Sequence, residues 1–319
     1  MRSVITCVAV IGSLFGPSPT HAAVPGRTPA GEIQQLDQRL AVAVYENRPE
    51  QVLAFVQQGA DPNARTADSF RFPLLYLAAT QARPATIEAL LRAGANPNAR
   101  DARGTPILVS VVAYFATLKH AGLETVRILL SHGADPNAID RAYIGDGRSA
   151  LHLAAAYGHA ELVEALLAYG ARVDQPNRVH ETPLYVAAER GEFESVQLLL
   201  QAGANADAAT KYTKMTPLLA ASEKGFARVA QLLLKSKVNI EHRDAFGRTP
   251  LEIVKSELKK VAAPASGESR RPAQQADPGQ KARFEATARV LEYWLSLGGR
   301  LSRHLPAPQP VGSTAQNPS

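Results

Sequence analysis

One six-residue element recurs along the chain at a nearly constant interval, and it constrains the fold more than any other feature. It reads "GADPNA" at 59–64, "GANPNA" at 94–99, "GADPNA" at 133–138, "GARVDQ" at 170–175 and "GANADA" at 203–208. The base interval is 33 residues, as between Gly170 and Gly203, and the longer intervals are this period plus insertions. A catalytic constellation is normally built once, so an element reused in every unit indicates structural punctuation.

Each copy of the element is predicted to end a helical hairpin. The segment before Gly203, "FESVQLLLQA", has apolar residues spaced three and four apart, which predicts one apolar stripe on a helix. Gly203 should then end that helix, because glycine adopts the left-handed backbone conformation at a helix end with the lowest cost in free energy. Upstream, Thr182 is predicted to cap the first helix of the pair, and Pro183 to occupy its first position.

The segments that open the hairpins share a second pattern. They read "TPILVSV" at 105–111, "SALHLAA" at 149–155, "TPLYVAA" at 182–188, "TPLLAAS" at 216–222 and "TPLEIVK" at 249–255. With the 33-residue period, these segments resemble the ankyrin repeat and its T-P-L-H-x-A signature. The resemblance covers about residues 36–301 and extends to the exported bacterial type of ankyrin protein. It implies an all-α solenoid of about seven helix-turn-helix units with short β-turn fingers.

The first 22 residues differ in kind from the repeats. A short positive start at Met1-Arg2 precedes the apolar run 4–16 and the small-residue stretch "PSPTHA". This order is typical of a secretory signal peptide, here cleaved near Ala22. A transmembrane anchor is the less favoured alternative, because the run is shorter than the roughly 20 residues that span a bilayer. We therefore expect a periplasmic or secreted protein with no membrane span after cleavage.

The remaining boundaries follow from composition. Residues 23–35 are predicted to be an N-terminal linker, and residues 36–301 are predicted to form the repeats. The protein is expected to be a monomer. Residues 262–281, rich in Ala, Pro, Gln and charge, are predicted to be a disordered insertion in the last repeat. "ARVLEYWLSLGG" at 288–299 then restores that repeat's second helix. The tail 302–319 is also predicted to be disordered.

No recognisable site for chemistry is present in the sequence. It has no HExxH, GxSxG, P-loop or paired-cysteine zinc spacing, so we predict a non-enzymatic protein with no catalytic residue, metal or cofactor. An enzymatic alternative would need activity without such a site. His152 occupies the histidine position of the signature, where the resemblance implies a structural hydrogen bond. Most of the net charge of +6 lies in residues 251–319, which disfavours a nucleic-acid-binding repeat domain.

The fingers are the candidate binding surface. In the ankyrin family, finger tips and first helices line a concave face, and here the fingers combine arginine or lysine with tyrosine and phenylalanine, a composition typical of interface hot spots. The resemblance implies that the partner is another protein, and an alternative role is protecting or inhibiting an enzyme, such as a catalase or a secreted toxin or lipase. Ordinary solvated fingers are the other interpretation. The predicted partner-binding residues are Arg65, Phe70, Arg71, Arg103, Arg141, Tyr143, Arg178, Lys211, Tyr212, Lys214 and Phe246.

Overall fold

The computed structural model of the chain describes residues 29–67, 71–118, 122–140, 146–262 and 278–297. These residues form fourteen α-helices, which follow one another as seven helix-turn-helix units. In chain order they are α1 (Pro29–Tyr45), α2 (Pro49–Gln57), α3 (Leu74–Thr80), α4 (Pro84–Arg92), α5 (Ile107–Leu118), α6 (Leu123–Ser131), α7 (Ala150–Ala156), α8 (Ala160–Ala168), α9 (Pro183–Arg190), α10 (Phe193–Gln201), α11 (Pro217–Lys224), α12 (Ala227–Lys235), α13 (Pro250–Ala262) and α14 (Pro278–Ser296).

The seven units stack in order into a two-layer solenoid. Each first helix contacts the first helix of the next unit, from α1 through α13, and each second helix likewise contacts the next second helix, from α2 through α14. One continuous apolar core, from Leu40 to Leu291, lies between the layers. The predicted all-α solenoid of seven units is confirmed.

The local signals predicted for the fifth unit are present. The Thr182 hydroxyl accepts a hydrogen bond from the Tyr185 N–H at 3.2 Å, and Pro183 is the first residue of α9. Gly203 follows α10 with a φ of +86°. Ala187 and Leu199 have no exposed surface, so the capped helices turn their apolar stripes into the shared core.

The recurring "GADPNA" element ties neighbouring units together. The Asn98 side chain accepts a hydrogen bond from the Asp135 N–H at 2.7 Å and donates one to the Gly133 carbonyl at 2.9 Å. Within the turn, the Asp135 carboxylate accepts from the Asn137 N–H at 2.8 Å. Because these backbone groups have no helical partner at a helix end, the side chains satisfy them and fix the spacing of the units. The equivalent residues of the other copies are Asn63, Asn137, Asp174 and Asp207, and Asp37 of α1 accepts the corresponding hydrogen bond from the Asp61 N–H of the first turn.

One copy of the T-P-L pattern lies a residue out of register. The Asp101 N–H donates to the Thr105 carbonyl at 3.0 Å, and in the fifth unit the Asn177 N–H donates to the Glu181 carbonyl at 2.9 Å. Thr105 therefore corresponds to Glu181, not to the capping threonine, and α5 begins after Pro106. The Thr105 hydroxyl donates instead to the Asp140 carboxylate of the next finger at 3.2 Å.

The helices at both ends of the solenoid are longer than the sequence pattern predicts. α1 begins at Pro29, within the predicted linker 23–35, and Leu36 of this helix packs against the core. α13 includes Ala262, and α14 begins at Pro278, so both ends of the predicted insertion 262–281 are helical. Residues 263–277, the predicted signal peptide 1–22 and the predicted tail 302–319 lie outside the described residues.

Candidate partner-binding site on the fingers

The fingers are the turns that lead from one unit into the first helix of the next, and we number each by the unit it opens. In all six described fingers, the N–H of the first residue donates to the carbonyl of the last residue, at 2.8 to 3.1 Å. These first and last residues define finger 2 (66–72), finger 3 (101–105), finger 4 (140–148), finger 5 (177–181), finger 6 (210–215) and finger 7 (244–248). Residues 68–70 of finger 2 and 141–145 of finger 4 lie outside the described residues.

A side chain at the base of each short finger fixes the shape of its tip. The Asp101 carboxylate accepts from the Arg103 and Thr105 N–H groups, both at 2.9 Å. Asn177 in finger 5 and Asp244 in finger 7 accept the equivalent pairs of N–H groups. Such local side-chain bonds hold a turn in one conformation, so these tips are preorganised.

Neighbouring fingers in the C-terminal half are also joined tip to tip. The Arg178 N–H donates to the Asp146 carbonyl at 2.9 Å, the Lys211 N–H to the Val179 carbonyl at 3.0 Å, and the Ala245 N–H to the Thr213 carbonyl at 2.9 Å. We call this set of bonds through fingers 4 to 7 the finger ladder. A partner that binds a preformed row of this kind has little loop entropy to overcome.

Arg65, one of the predicted binding residues, is part of the scaffold. Its guanidinium donates to the Arg71 carbonyl of finger 2 and to the carbonyl of Arg100, the residue before finger 3, both at 2.9 Å. Arg100 similarly donates to the Gly104 carbonyl at 2.7 Å. The arginines at these two positions hold the fingers in place, a role that composition alone does not reveal.

Fingers 6 and 7 present the most exposed aromatic rings of the described residues. Tyr212 is 67% exposed and Phe246 is 76% exposed. The Lys211 ammonium lies 5.3 Å from the centre of the Tyr212 ring, and the Arg248 guanidinium lies 5.2 Å from that of Phe246. Lys211 and the exposed Lys214 form no ion pair within the described part of the chain. We call Lys211, Tyr212, Lys214 and Phe246 the C-terminal finger patch.

The other predicted binding residues are distributed along the row. Arg71 lies on finger 2, Arg103 on finger 3 and Arg178 on finger 5, all with exposed side chains. Phe70, Arg141 and Tyr143 lie outside the described residues. The structure thus brings four of the predicted residues together in the C-terminal finger patch and places Arg71, Arg103 and Arg178 on earlier fingers.

Arg248 was not predicted as a site residue, although it supports the patch. Its guanidinium contacts the buried Asp244 carboxylate at 2.7 Å. Burial alone would raise the pKa of Asp244, but hydrogen bonds from Arg248 and Phe246 N–H groups and from the Arg248 guanidinium outweigh it, so this pKa is lowered. Asp followed four residues later by Arg is a weak sequence signal, because only the finger shape brings the two side chains together.

The histidine of the signature motif has a structural environment. His152 is fully buried, and its Nδ1 accepts from the Ser149 N–H at 3.2 Å, while its Nε2 lies 3.1 Å from the Glu181 carbonyl of the next unit. Since a carbonyl only accepts, Nε2 carries the proton. Burial lowers the pKa of His152 to about 4, so the ring is neutral at pH 7.

The described ranges contain neither a cluster of metal ligands nor a membrane-spanning helix. No group of three His, Cys, Asp or Glu side chains among these residues is arranged to hold a metal ion. In the same ranges, no helix is both long and apolar enough to cross a lipid bilayer.

Many solved structures are similar to the chain, among them two ankyrin repeat domains. The ankyrin repeat domain of human ASB11 is 24% identical with a TM-score of 0.57, and the match covers 88% of this chain and 100% of that domain. The ankyrin repeat domain of Bcl-3, a unique member of the IkappaB protein family, is 29% identical with a TM-score of 0.57, and covers 67% and 92% respectively. No protein with a curated description matches the sequence significantly.

Family models for ankyrin repeats match the sequence itself. The model for ankyrin repeats in three copies matches residues 112–211, and the single-repeat model matches residues 71–102 and 213–245. Together these matches cover more than half of the chain and coincide with the described helix pairs and fingers. The chain belongs to the ankyrin-repeat family.

Proposed function

We propose that this protein is a non-enzymatic binding module that contacts a partner protein through its fingers. Ankyrin repeats are generally protein–protein interaction modules, and stacked repeats offer extended binding surfaces. The observation that carries the proposal for this chain is the C-terminal finger patch, two exposed rings and two lysines held on hydrogen-bonded fingers.

The energetics of the patch favour an interface. An aromatic side chain that a partner covers buries roughly 150–250 Å² and is a frequent hot spot, worth about 2–4 kcal/mol when truncated. Tyr212 and Phe246 expose most of their surface in the free protein, so a partner can gain that area. Because the ladder already fixes both fingers, ordering them on binding costs little.

A pull-down with matched aromatic variants tests the proposal. The Tyr212→Ala/Phe246→Ala double variant should lose the partner that the wild type captures from the exported fraction of the host cell. Tyr293→Ala is the control, since Tyr293 is 62% exposed but belongs to α14 and not to a finger. Mass spectrometry identifies the captured protein, and a catalase, toxin or lipase would assign the protective or inhibitory role.

Two results would contradict the finger interface. Equal capture by the wild type and the double variant would move the binding site off fingers 6 and 7. Capture of nothing by the wild type, with cross-linking included, would remove the main support for a binding module.

We also propose that the protein is exported and that its mature form begins near Ala23. The support is the order of charge, apolar run and small residues in 1–22. N-terminal sequencing of the protein from the periplasmic or secreted fraction tests this. Intact protein beginning at Met1 and confined to the cytoplasm would overturn it.

A further inference from the structure

We propose that finger 7 is the docking point for an extended, acidic segment of the partner protein, which continues the finger ladder and places an apolar side chain against Phe246. This inference rests on the proposed function and narrows it to one partner chemistry. Three independent features of the C-terminal fingers support it: an open hydrogen-bond acceptor, exposed rings and unpaired cations.

The finger ladder has an open end at Phe246. In fingers 4 to 6, the carbonyl that accepts from the next finger belongs to the residue before the left-handed one. Val179 precedes His180 (φ +63°), and Thr213 precedes Lys214 (φ +54°). Phe246 precedes Gly247 (φ +76°), and its carbonyl has no donor within the described ranges of the chain. A peptide N–H from a partner can fill this position, as in recognition by strand addition.

The apolar part of the site lies beside this carbonyl. The Phe246 ring is the most exposed large hydrophobic side chain described, and Tyr212 of the adjoining finger is the next. Burying such rings is favourable in proportion to the apolar area removed from water. A segment that bonds to Phe246 therefore gains most if it also carries an apolar side chain at that point.

The charge of fingers 6 and 7 favours an acidic segment. Asp244 and Arg248 neutralise each other at 2.7 Å, and Arg243 pairs with Glu252 at 3.2 Å. Lys211 and Lys214 have no carboxylate partner in the described chain, so the two fingers carry a net positive charge. Each exposed lysine–carboxylate contact strengthens binding by roughly two- to fivefold, and more at low salt.

A peptide explains these features better than a nucleic acid. Cations and exposed rings also suit single-stranded nucleic acid, whose bases stack on aromatic side chains. However, the open position at Phe246 is an acceptor in register with three amide-to-carbonyl bonds. A sugar–phosphate backbone offers no N–H group to such a position, whereas every non-proline residue of a peptide does.

Selection from a random peptide library displayed on phage, with the full chain as bait, tests the proposal. The enriched peptides should combine Asp or Glu with a large apolar residue. A synthetic enriched peptide, measured by fluorescence anisotropy, should bind Phe246→Ala and Lys211→Glu/Lys214→Glu at least tenfold more weakly. Lys235→Glu is the matched charge control, because this exposed lysine on α12 also lacks an ion pair in the described chain, and its Kd should stay within twofold.

A backbone scan of the same peptide addresses the hydrogen bond directly. N-methylation at one residue should weaken binding about tenfold, and N-methylation at most others should have little effect. Thermal melts of every variant separate loss of binding from loss of folding. A scan with no sensitive position would overturn docking through the Phe246 carbonyl.

The remaining outcomes separate this inference from the proposed function. Enriched peptides that are basic, or that bind both finger variants as well as the wild type, would overturn the inference and leave the binding module intact. Tighter binding of a 20-nucleotide oligo(dT) than of the best peptide would overturn it in favour of nucleic acid. If no peptide is enriched, the inference fails, and the pull-down with Tyr212→Ala/Phe246→Ala decides the proposed function separately.

Discussion

At the scale of single residues, this repeat protein uses polar side chains mainly to satisfy backbone groups. Asn98 bonds to two backbone groups of the next unit, and Arg65 bonds to the carbonyls of Arg71 and Arg100. Buried or turn-forming backbone groups must find partners, and a solenoid has many such turns. A polar residue in this fold is therefore a poor indicator of function until its backbone contacts are known.

His152 makes the stability of the protein depend on pH. Its pKa is about 4 in the folded state, against 6.5 as the ordinary value, so the unfolded state binds the proton more readily. The stabilisation from the neutral ring is complete above pH 6.5 and is lost as the pH falls from 6.5 towards 4. Between pH 7.5 and 4.5, the free energy of unfolding should decrease by about 2–3 kcal/mol through this residue.

The comparison with His152→Gln isolates this contribution. Glutamine does not titrate, so acidification from pH 7.5 to 4.5 should lower the free energy of unfolding of the variant by about 2–3 kcal/mol less than that of the wild type. The variant should be less stable than the wild type at pH 7.5. Urea unfolding at the two pH values gives both numbers. Parallel pH dependence of the two proteins would contradict the assignment to His152.

At the scale of helices, much of the architecture was predictable from the sequence. The 33-residue period, Thr182 with Pro183, and Gly203 predict two helices and a finger for a whole unit, because each signal is local. Lys237 occupies the glycine position of the sixth unit and has a φ of +62°. Its position in the repeat therefore predicts the left-handed backbone conformation even without a glycine. The limits of α1, α13 and α14 were not predictable, because they depend on packing at the ends of the stack.

The contacts made by the fingers could not be predicted from the sequence. Nothing in the spacing of Arg65 and Arg100 shows that their guanidinium groups bond to finger carbonyls. Composition did identify Lys211, Tyr212, Lys214 and Phe246, which the structure places on adjoining fingers. The hydrogen bond from Ala245 to Thr213 that joins those fingers follows from the stacking of whole units, so only the fold reveals it.

The docking of α14 gives a prediction at the element scale. Phe284 is 4% exposed and covers Gly225, where an added Cβ would lie 3.1 Å from the ring, much as Phe226 covers Gly191. Phe284→Ala should therefore lower the free energy of unfolding by about 3–5 kcal/mol, because it leaves a cavity under the last helix.

Tyr293→Ala on the same helix is the matched control. Tyr293 is 62% exposed, so its loss should change stability by no more than about 0.5 kcal/mol. Chemical denaturation of both variants checks the pair, and hydrogen exchange of α14 amides should rise only in Phe284→Ala. Equal stability of the two variants would show that α14 does not close the stack.

At the scale of the whole molecule, the structure is a linear array in which the main contacts between described helices join neighbouring units. Stability in such an array is the sum of unit and interface contributions, and the end units protect the apolar faces of the inner ones. The helical layers and the fingers end differently. The longer helices α1 and α14 cover the first and last interfaces, whereas the finger ladder ends at the Phe246 carbonyl, which has no donor among the described residues.

Removal of the first unit tests this view of the array. Helices α1 and α2 pack on α3 and α4, where Leu74, Ile87 and Leu90 are fully buried. A protein that lacks residues 29–64 should expose this apolar face, unfold at a lower urea concentration and self-associate, because exposed apolar patches promote association. Light scattering after size-exclusion chromatography, together with urea unfolding, measures both effects.

The peptide selected on finger 7 should still bind the shortened protein, with a Kd within about threefold of that for the full chain, since interactions in an array are local. A shortened protein that is monomeric and as stable as the parent would show that the first unit does not cap the solenoid, and loss of peptide binding by a folded one would show that the two ends are coupled.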